Sequence, residues 1–295
     1  MLKNTNKIDG WLIIDKPLEM GSTSVVSRLK HILHPAKIGH AGTLDPLATG
    51  VLPIALGKAT KLIPHVMDGT KIYDFRIEWG SETATDDSEG EITATSPDRP
   101  TEKEVLNILP SFLGVIEQVP PAYSALKVDG HRAYDLARNG QEVTLSARAV
   151  KIEALYLLRF DTETADFRVV CGKGTYVRAL GRDIGRKLGC LGHVTALRRM
   201  ACGPFRIDDA VSLDQTEIEK AVLPMMSALN GMMTLSCSDE EWLRLKQGQR
   251  LSLSAVIQRL PQVLDGVVIG LIHHEQLVGL ARIKQGGVHP YRIFS

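Results

Sequence analysis

The alternation of apolar and polar positions divides the chain into elements before any chemistry is considered. Trp11-Leu12-Ile13-Ile14 is a short apolar run halted by Asp15-Lys16-Pro17, the pattern of a buried strand leaving into a turn. Val25, Val26, Leu29, Ile32 and Leu33 then recur at helical spacing. Ser22 and Ser24 are capping candidates, Arg28, Lys30 and His31 lie on the other face, and Pro35 is the stop. The stretch 71–79 alternates as a half-buried strand does and places Tyr73, Phe75, Ile77 and Trp79 on one face. Residues 80–100 are polar and turn-rich, which predicts a loop and hairpin. Thr101 with Glu104 forms a capping box for a helix carrying Val105, Leu106, Ile108, Leu109 and Phe112.

Further on, 167–171 reads as a strand, and Gly172-Lys173-Gly174-Thr175 turns it into a helix. Tyr176, Val177, Leu180, Ile184 and Leu188 form the apolar stripe of that helix. Arg178, Arg182 and Arg186 fall four apart on an adjoining stripe, and Gly189 is the stop. A helical segment is predicted through about Ala228. The character changes from Ser236: Ser238 and Glu241 cap a short helix, and 267–272, 277–283 and 290–294 read as strands. Two domains are expected, the smaller at the end of the chain, over 1–230 and 236–295. There is no internal repeat or low-complexity tract.

Composition adds exclusions. Among 295 residues, 44% are hydrophobic and 23% charged, which argues for a globular chain and against disorder or fibre. A net charge of +1 is not that of a polycation, so a nucleic-acid site would need local segregation of charge. Bases outnumber acids between 151 and 206, whereas Glu82, Asp86, Asp87, Glu89 and Glu91 crowd one short stretch. Cys171, Cys190, Cys202 and Cys237 lack zinc-ribbon or disulfide-framework spacing and read as reduced thiols of a cytoplasmic protein. The polar N-terminus and short apolar runs predict no signal peptide and no membrane span. His31, His34 and His40 have no carboxylate or thiolate at ligand spacing, so no metal is expected. Gly57-Lys58 lacks the glycine spacing of a Walker loop, and Ala59 occupies the place of its hydroxyl residue. Lys58 and Lys61 are phosphate contacts or solvated charges.

The densest chemistry lies in His40-Ala41-Gly42-Thr43-Leu44-Asp45-Pro46-Leu47-Ala48-Thr49-Gly50. Gly42 and Gly50 can adopt backbone angles closed to other residues, and Pro46 fixes its own φ while biasing Asp45 away from helix. The result is a stiff turn presenting one carboxylate between Leu44 and Leu47, which needs a cation nearby to stay charged. The plain alternative is a surface turn in which Asp45 bonds its own backbone. Downstream of Pro120-Pro121, tyrosines mix with Lys127, His131, Arg132 and Arg138. That mixture suits base stacking and phosphate contact, and equally an amphipathic helix lying on the core. Arg182 and Arg186 read as a solvated stripe. Arg178, in the first turn beside a glycine-rich loop, fits an anion site.

Four strings, taken together and in order, resemble the TruB family of tRNA pseudouridine synthases. They are the 40–50 loop, Pro120-Pro121-Ala122-Tyr123-Ser124-Ala125-Leu126-Lys127, Lys173-Gly174-Thr175-Tyr176-Val177-Arg178 and Gly192-His193-Val194-Thr195-Ala196-Leu197-Arg198-Arg199. The resemblance covers about two thirds of the chain. It implies an α+β pseudouridine-synthase fold: a mixed, largely antiparallel central sheet with flanking helices, an RNA-contacting insertion over about 120–145, and a small β-rich PUA-like C-terminal domain. It implies that Asp45 is the nucleophile, that Arg178 pairs with it, and that Tyr73, Tyr176 and Leu197 hold the target base, with Tyr73 also a catalytic candidate as acceptor of the C5 proton. His40 would fill space vacated in the RNA loop, and Lys61 would lie near phosphates. The implied substrate is uridine at position 55 in the TΨC loop of tRNA, recognised through the T-stem loop by a monomer. The isomerisation imports no group, so no cofactor is expected. The rivals are an RNA-binding or RNA-folding protein without catalysis, and a synthase acting on another RNA.

Overall fold

The structure is a computed structural model and describes residues 6–124, 127–128, 131–132, 145–260 and 264–294. Its centre is a ten-stranded sheet. The main path runs Val211–Ser212, Gly10–Lys16, Ala48–Leu56, Gly192–Cys202, Lys71–Trp79, Thr164–Cys171, Arg148–Phe160 and Gly114–Gln118. Gly10–Lys16 pairs in parallel with Val211–Ser212, and Ala48–Leu56 with Gly192–Cys202; the remaining neighbours along this path are antiparallel. This is the mixed, largely antiparallel sheet expected.

The apolar run at Trp11 is buried on both faces. Leu12 and Ile14, with Leu52, Ile54 and Leu56 of the neighbouring strand, pack against Val25, Leu29 and Leu33 of the helix Ser22–Leu33. Trp11 and Ile13 face the other way and meet Phe205, Leu280 and Phe294. The alternating strand Lys71–Trp79 buries Phe75, Ile77 and Trp79 beneath the helix Val177–Leu188, with Phe75 stacked on Phe167 at 5.4 Å between ring centres. The capping box at Thr101 and Glu104 forms and opens the helix Glu102–Ile108.

The Arg148–Phe160 strand and its neighbour lie at the far side of the sheet from the second unit, a five-stranded sheet. Its order is Thr234–Ser236, Val268–His273, Gln276–Lys284, Gly287–Ile293 and Leu251–Ser252. It has its own core around Leu235, Leu271, Ala281 and Val288, and the Ser238–Glu241 capping box opens its helix Asp239–Lys246 as expected. Its Leu280 and Phe294 share the apolar seam with Trp11.

Several expectations are corrected. Ser22 does not cap its helix: Gly21 occupies the cap with no side-chain bond, and Ser22 turns to the 40–50 loop. Ile32 is exposed rather than packed, because the apolar face is already filled by Val25, Leu29 and Leu33. The segment before Ala228 is two 3-10 turns, Ile218–Ala221 and Met225–Leu229, separated by Pro224, which cannot supply a helical N–H. The side chains from 125 to 144, including Lys127, His131, Arg132 and Arg138, lie outside the described residues.

Candidate active site

The 40–50 loop is as stiff as its composition suggests. Gly42 and Gly50 have φ of +100° and +94°, and a Cβ on Gly50 would lie 2.3 Å from the Arg199 carbonyl oxygen. What the loop sequence alone does not reveal is how its backbone is fastened. Ser22 Oγ donates to the Leu44 carbonyl at 2.9 Å and accepts from the Leu44 N–H at 2.8 Å. The fully buried Lys16 donates to the carbonyls of Pro46, Met20 and Pro17 at 3.2, 2.6 and 2.9 Å. Arg199, also buried, donates to Gly42 O at 3.0 Å and Val51 O at 2.7 Å. Three side chains from three elements thus hold the loop on both sides of Asp45. Such buried donors are costly unless every hydrogen bond is made, which makes the arrangement unforgiving of displacement.

Asp45 points out of this frame to Arg178, with Nη2 and Oδ2 2.9 Å apart. The Arg178 side chain is 8% exposed and Asp45 42%, so the cation is fixed and the carboxylate reaches the cavity. Arg178 is gripped elsewhere too. Nη1 donates to Asp87 Oδ2 at 3.1 Å and Thr85 O at 2.9 Å, and Nη2 to Tyr123 O at 2.9 Å. Its planar fork spans Asp45 and Asp87 together, a geometry a point-charge ammonium cannot reproduce.

The reading of Arg182 and Arg186 as a solvated stripe is overturned for Arg182, whereas Arg186 stays 55% exposed although paired. Arg182 is buried against Asp86 at 2.8 Å, and Arg186 forms a two-pronged pair with Glu82 at 2.6 and 2.7 Å. The acidic stretch after Trp79 folds back as a hairpin, Ser81–Thr83 with Ile92–Thr95, and its acids meet the arginine stripe of the helix in reverse order. Burial pushes the Asp86 carboxyl up, and the guanidiniums of Arg182, Arg178 and Arg186 oppose that.

A cavity of about 290 Å³ opens at Asp45, lined by Tyr73, Tyr176, Arg178, Leu197 and Ser124 among others. Five of the seven expected site residues therefore meet at one place. Burial pushes the Tyr73 phenol up to about 12, with the hydrogen-bonded Arg199 acting the other way, so the phenol is protonated at neutral pH. Burial also raises Tyr176, opposed by the nearby Ser124 hydroxyl. The Tyr176 N–H donates to Gln118 Oε1 at 2.8 Å, fixing the residue just ahead of the helix. Leu197 lies in register between Phe75 and Ala48 of the two flanking strands and forms a rigid wall.

His40 and Lys61 do not line this cavity. His40 ends the strand Ile38–His40; its buried Nδ1 has no protein partner, and burial lowers its pKa. Lys61 bonds the Ile293 carbonyl at 3.0 Å and sits 5.6 Å from the Phe294 ring centre, so its charge is committed to the C-terminal sheet. Asp87, Lys16 and Ser22 were not singled out as site residues from the sequence. Asp87 alone left a signal there, as part of an acidic cluster.

Comparison with known proteins agrees with this geometry. Residues 30–177 match the family model described as TruB family pseudouridylate synthase (N terminal domain). Residues 178–230 match that of the tRNA pseudouridylate synthase B C-terminal domain. The tRNA pseudouridine synthase B of Rhizobium etli is 46% identical over 303 residues, covering 98% of this chain and 96% of its own. That of Rhodospirillum rubrum is 46% identical over 300 residues, covering 98% and 97%. Among solved structures, a chain of an H/ACA ribonucleoprotein bound to a substrate RNA containing 2′-deoxyuridine superposes with a TM-score of 0.74. It covers 97% of this chain and 85% of its own at 23% identity, a likeness of fold. With adjoining family models over 30–230 and relatives aligned almost end to end, the chain belongs to the TruB family of pseudouridylate synthases.

Proposed function

We propose that the protein isomerises uridine to pseudouridine at position 55 in the TΨC loop of tRNA, with the nucleotide flipped into the Asp45 cavity and Asp45 acting as nucleophile. The observation that carries the proposal is the Asp45–Arg178 pair, 2.9 Å apart at the mouth of a cavity walled by Tyr73, Tyr176 and Leu197. The tRNA relatives support the substrate class.

The chemistry follows from the parts. The N1–C1′ bond of uridine breaks, the uracil turns, C5 joins C1′, and the proton on C5 ends on N1, so nothing is added or lost. A nucleophile for C1′ must be ionised, and a guanidinium held against a carboxylate favours that form. Arg178 is immobilised by Asp87, Thr85 and Tyr123, so Asp45 finds its partner already in place. Flipping a stacked base costs a few kcal/mol. Tyr73 stacking on the base, Tyr176 at its edge and Leu197 behind it offset part of this. A Tyr73 phenol near 12 serves the resting enzyme as a wall; accepting the C5 proton would require Arg199 to stabilise the phenolate. His40, whose Nδ1 has no protein partner, takes the space left in the RNA loop. Lys61 has no part in this account.

In this reading residues 1–230 carry the chemistry, 236–295 form the appended PUA-like domain, and the T-stem loop is the recognised feature. The protein acts as a cytoplasmic monomer. The test is to incubate it with an unmodified tRNA transcript and map pseudouridine at nucleotide resolution. Product at position 55 and nowhere else supports the proposal, and product confined to other uridines overturns the assignment of the target.

A further inference from the structure

A second cluster of chemically capable side chains lies in the C-terminal domain, in the other core from the Asp45 cavity. Asp239 stands in the first turn of the helix Asp239–Lys246, and His273 and His274 lie at the end of the strand Val268–His273 and in the turn after it. His273 Nε2 is 2.8 Å and His274 Nε2 3.1 Å from the same carboxylate oxygen, Asp239 Oδ1. The potential ligand atoms all lie within 4.8 Å of one another. Sequence spacing could not reveal this set, because Asp239 and His273 are 34 residues apart.

We propose that Asp239, His273 and His274 bind a late first-row divalent cation, with Zn²⁺ as the reference case, and so clamp the helix to the hairpin turn. Two neutral imidazoles and one carboxylate are a common donor set for such ions, leaving further positions to water. Ligand atoms around tetrahedral zinc stand about 3.3 Å apart when each is 2.0–2.1 Å from the ion. The observed 2.8 and 3.1 Å therefore need to open by only a few tenths of an ångström. The cluster is also part-built. The Trp242 ring lies 5.8 Å from that of His273, which is 15% exposed, so one ligand is packed in place. His274 and Asp239 are 75% and 83% exposed, which leaves the ion an open path. Asp239, Glu240 and Glu241 together offset the positive end of the helix, which would otherwise repel a cation.

The experiment uses the untagged full-length protein. Calorimetric titration with Zn²⁺ is compared for the wild type, His274→Ala, Asp239→Asn and the double variant H273A/H274A, with Co²⁺ absorption as a reporter of ligands. His274 is exposed but holds φ +46°, so the unfolding midpoint of metal-free H274A is measured beside its binding to separate a fold defect from a lost ligand. One ion per chain is expected, weakened by at least about tenfold in each single variant. A tetrahedral cobalt spectrum without thiolate charge transfer should appear in the wild type and vanish in the double variant. Zn²⁺ should also raise the midpoint of thermal unfolding, most for the wild type, less for the single variants and not for the double variant. Wild-type binding no tighter than that of H273A/H274A would overturn the proposal. So would a thiolate band, which would assign the ion to Cys237 or another cysteine.

Discussion

At the scale of single residues, the site depends on matching each side chain's shape and charge to fixed partners. Arg178 must reach Asp45, Asp87 and two carbonyls at once. Arg178→Lys keeps the charge and loses the fork, so kcat should fall by about 10²-fold or more while RNA affinity changes by less than about threefold. Single-turnover rates beside binding isotherms check this, and equal loss of both would make Arg178 a phosphate contact. Lys16 gives a pH signature. Burial lowers its folded pKa from 10.5 to about 8, partly opposed by Asp45. Because the folded value lies below the unfolded one, the charge opposes folding: the penalty is complete below pH 8 and is relieved as pH rises toward 10.5. Wild-type stability should therefore gain on Lys16→Met by about 1 kcal/mol per pH unit across that window. Denaturant unfolding from pH 7 to 10 measures the difference, and parallel curves would contradict a strained, charged Lys16.

At the scale of elements, the hairpin 81–95 and the helix Val177–Leu188 are joined by three acid–arginine pairs. Asp87–Arg178 is the most enclosed of the three, 5% and 8% exposed, but it serves the site; of the other two, Asp86–Arg182 is the more enclosed, each side chain 9% exposed. Breaking it from one side leaves a buried charge short of a partner, although Arg182 keeps Asp183 at 2.9 Å. Asp86→Asn or Arg182→Met should each cost about 3–5 kcal/mol, and the double variant clearly less than their sum. A double-mutant cycle in urea tests this; strict additivity would mean the pair is not coupled. How much of this was legible differs by element. Strands and helices with strong periodicity, such as Lys71–Trp79 and Val177–Leu188, were plain because one face is buried in each. Asp45 and Arg178 were legible only through the family strings, since an Asp-Pro turn and a basic stripe have ordinary explanations. The acid–arginine ladder was half visible, as two clusters of opposite charge, but a helical wheel shows a stripe and not its partner. Lys16, Ser22 and Arg199 play roles that leave no pattern, although Arg199 lies in a family string and Ser22 reads as a cap. They act on backbone carbonyls 30, 22 and 157 residues away, and a carbonyl carries no sequence signature.

At the scale of the whole molecule, charge is less segregated than the sequence suggests. Many of the bases between 151 and 206 are spent internally: Arg168 on Asp74, Arg178 on Asp45 and Asp87, Arg182 on Asp86, Arg186 on Glu82 and Arg198 on Asp15. RNA affinity must then come from the remaining exposed bases together with base stacking. Log affinity should fall linearly with log salt, with a slope of about −0.7 to −0.9 for each phosphate neutralised. A flat response would argue against an extended RNA footprint. The C-terminal sheet shares an apolar seam with Trp11 and Ile13.

The most direct test of the central claim, an aspartate paired with Arg178 that attacks a flipped uridine, is the Asp45→Asn variant. It is assayed for pseudouridine formation and for affinity on the same T-stem-loop RNA. Asn keeps the shape and loses the charge, so product should fall by more than about a thousandfold while affinity stays within a few-fold of wild type. Pseudouridine formed by the variant at a rate near that of the wild type would contradict the account.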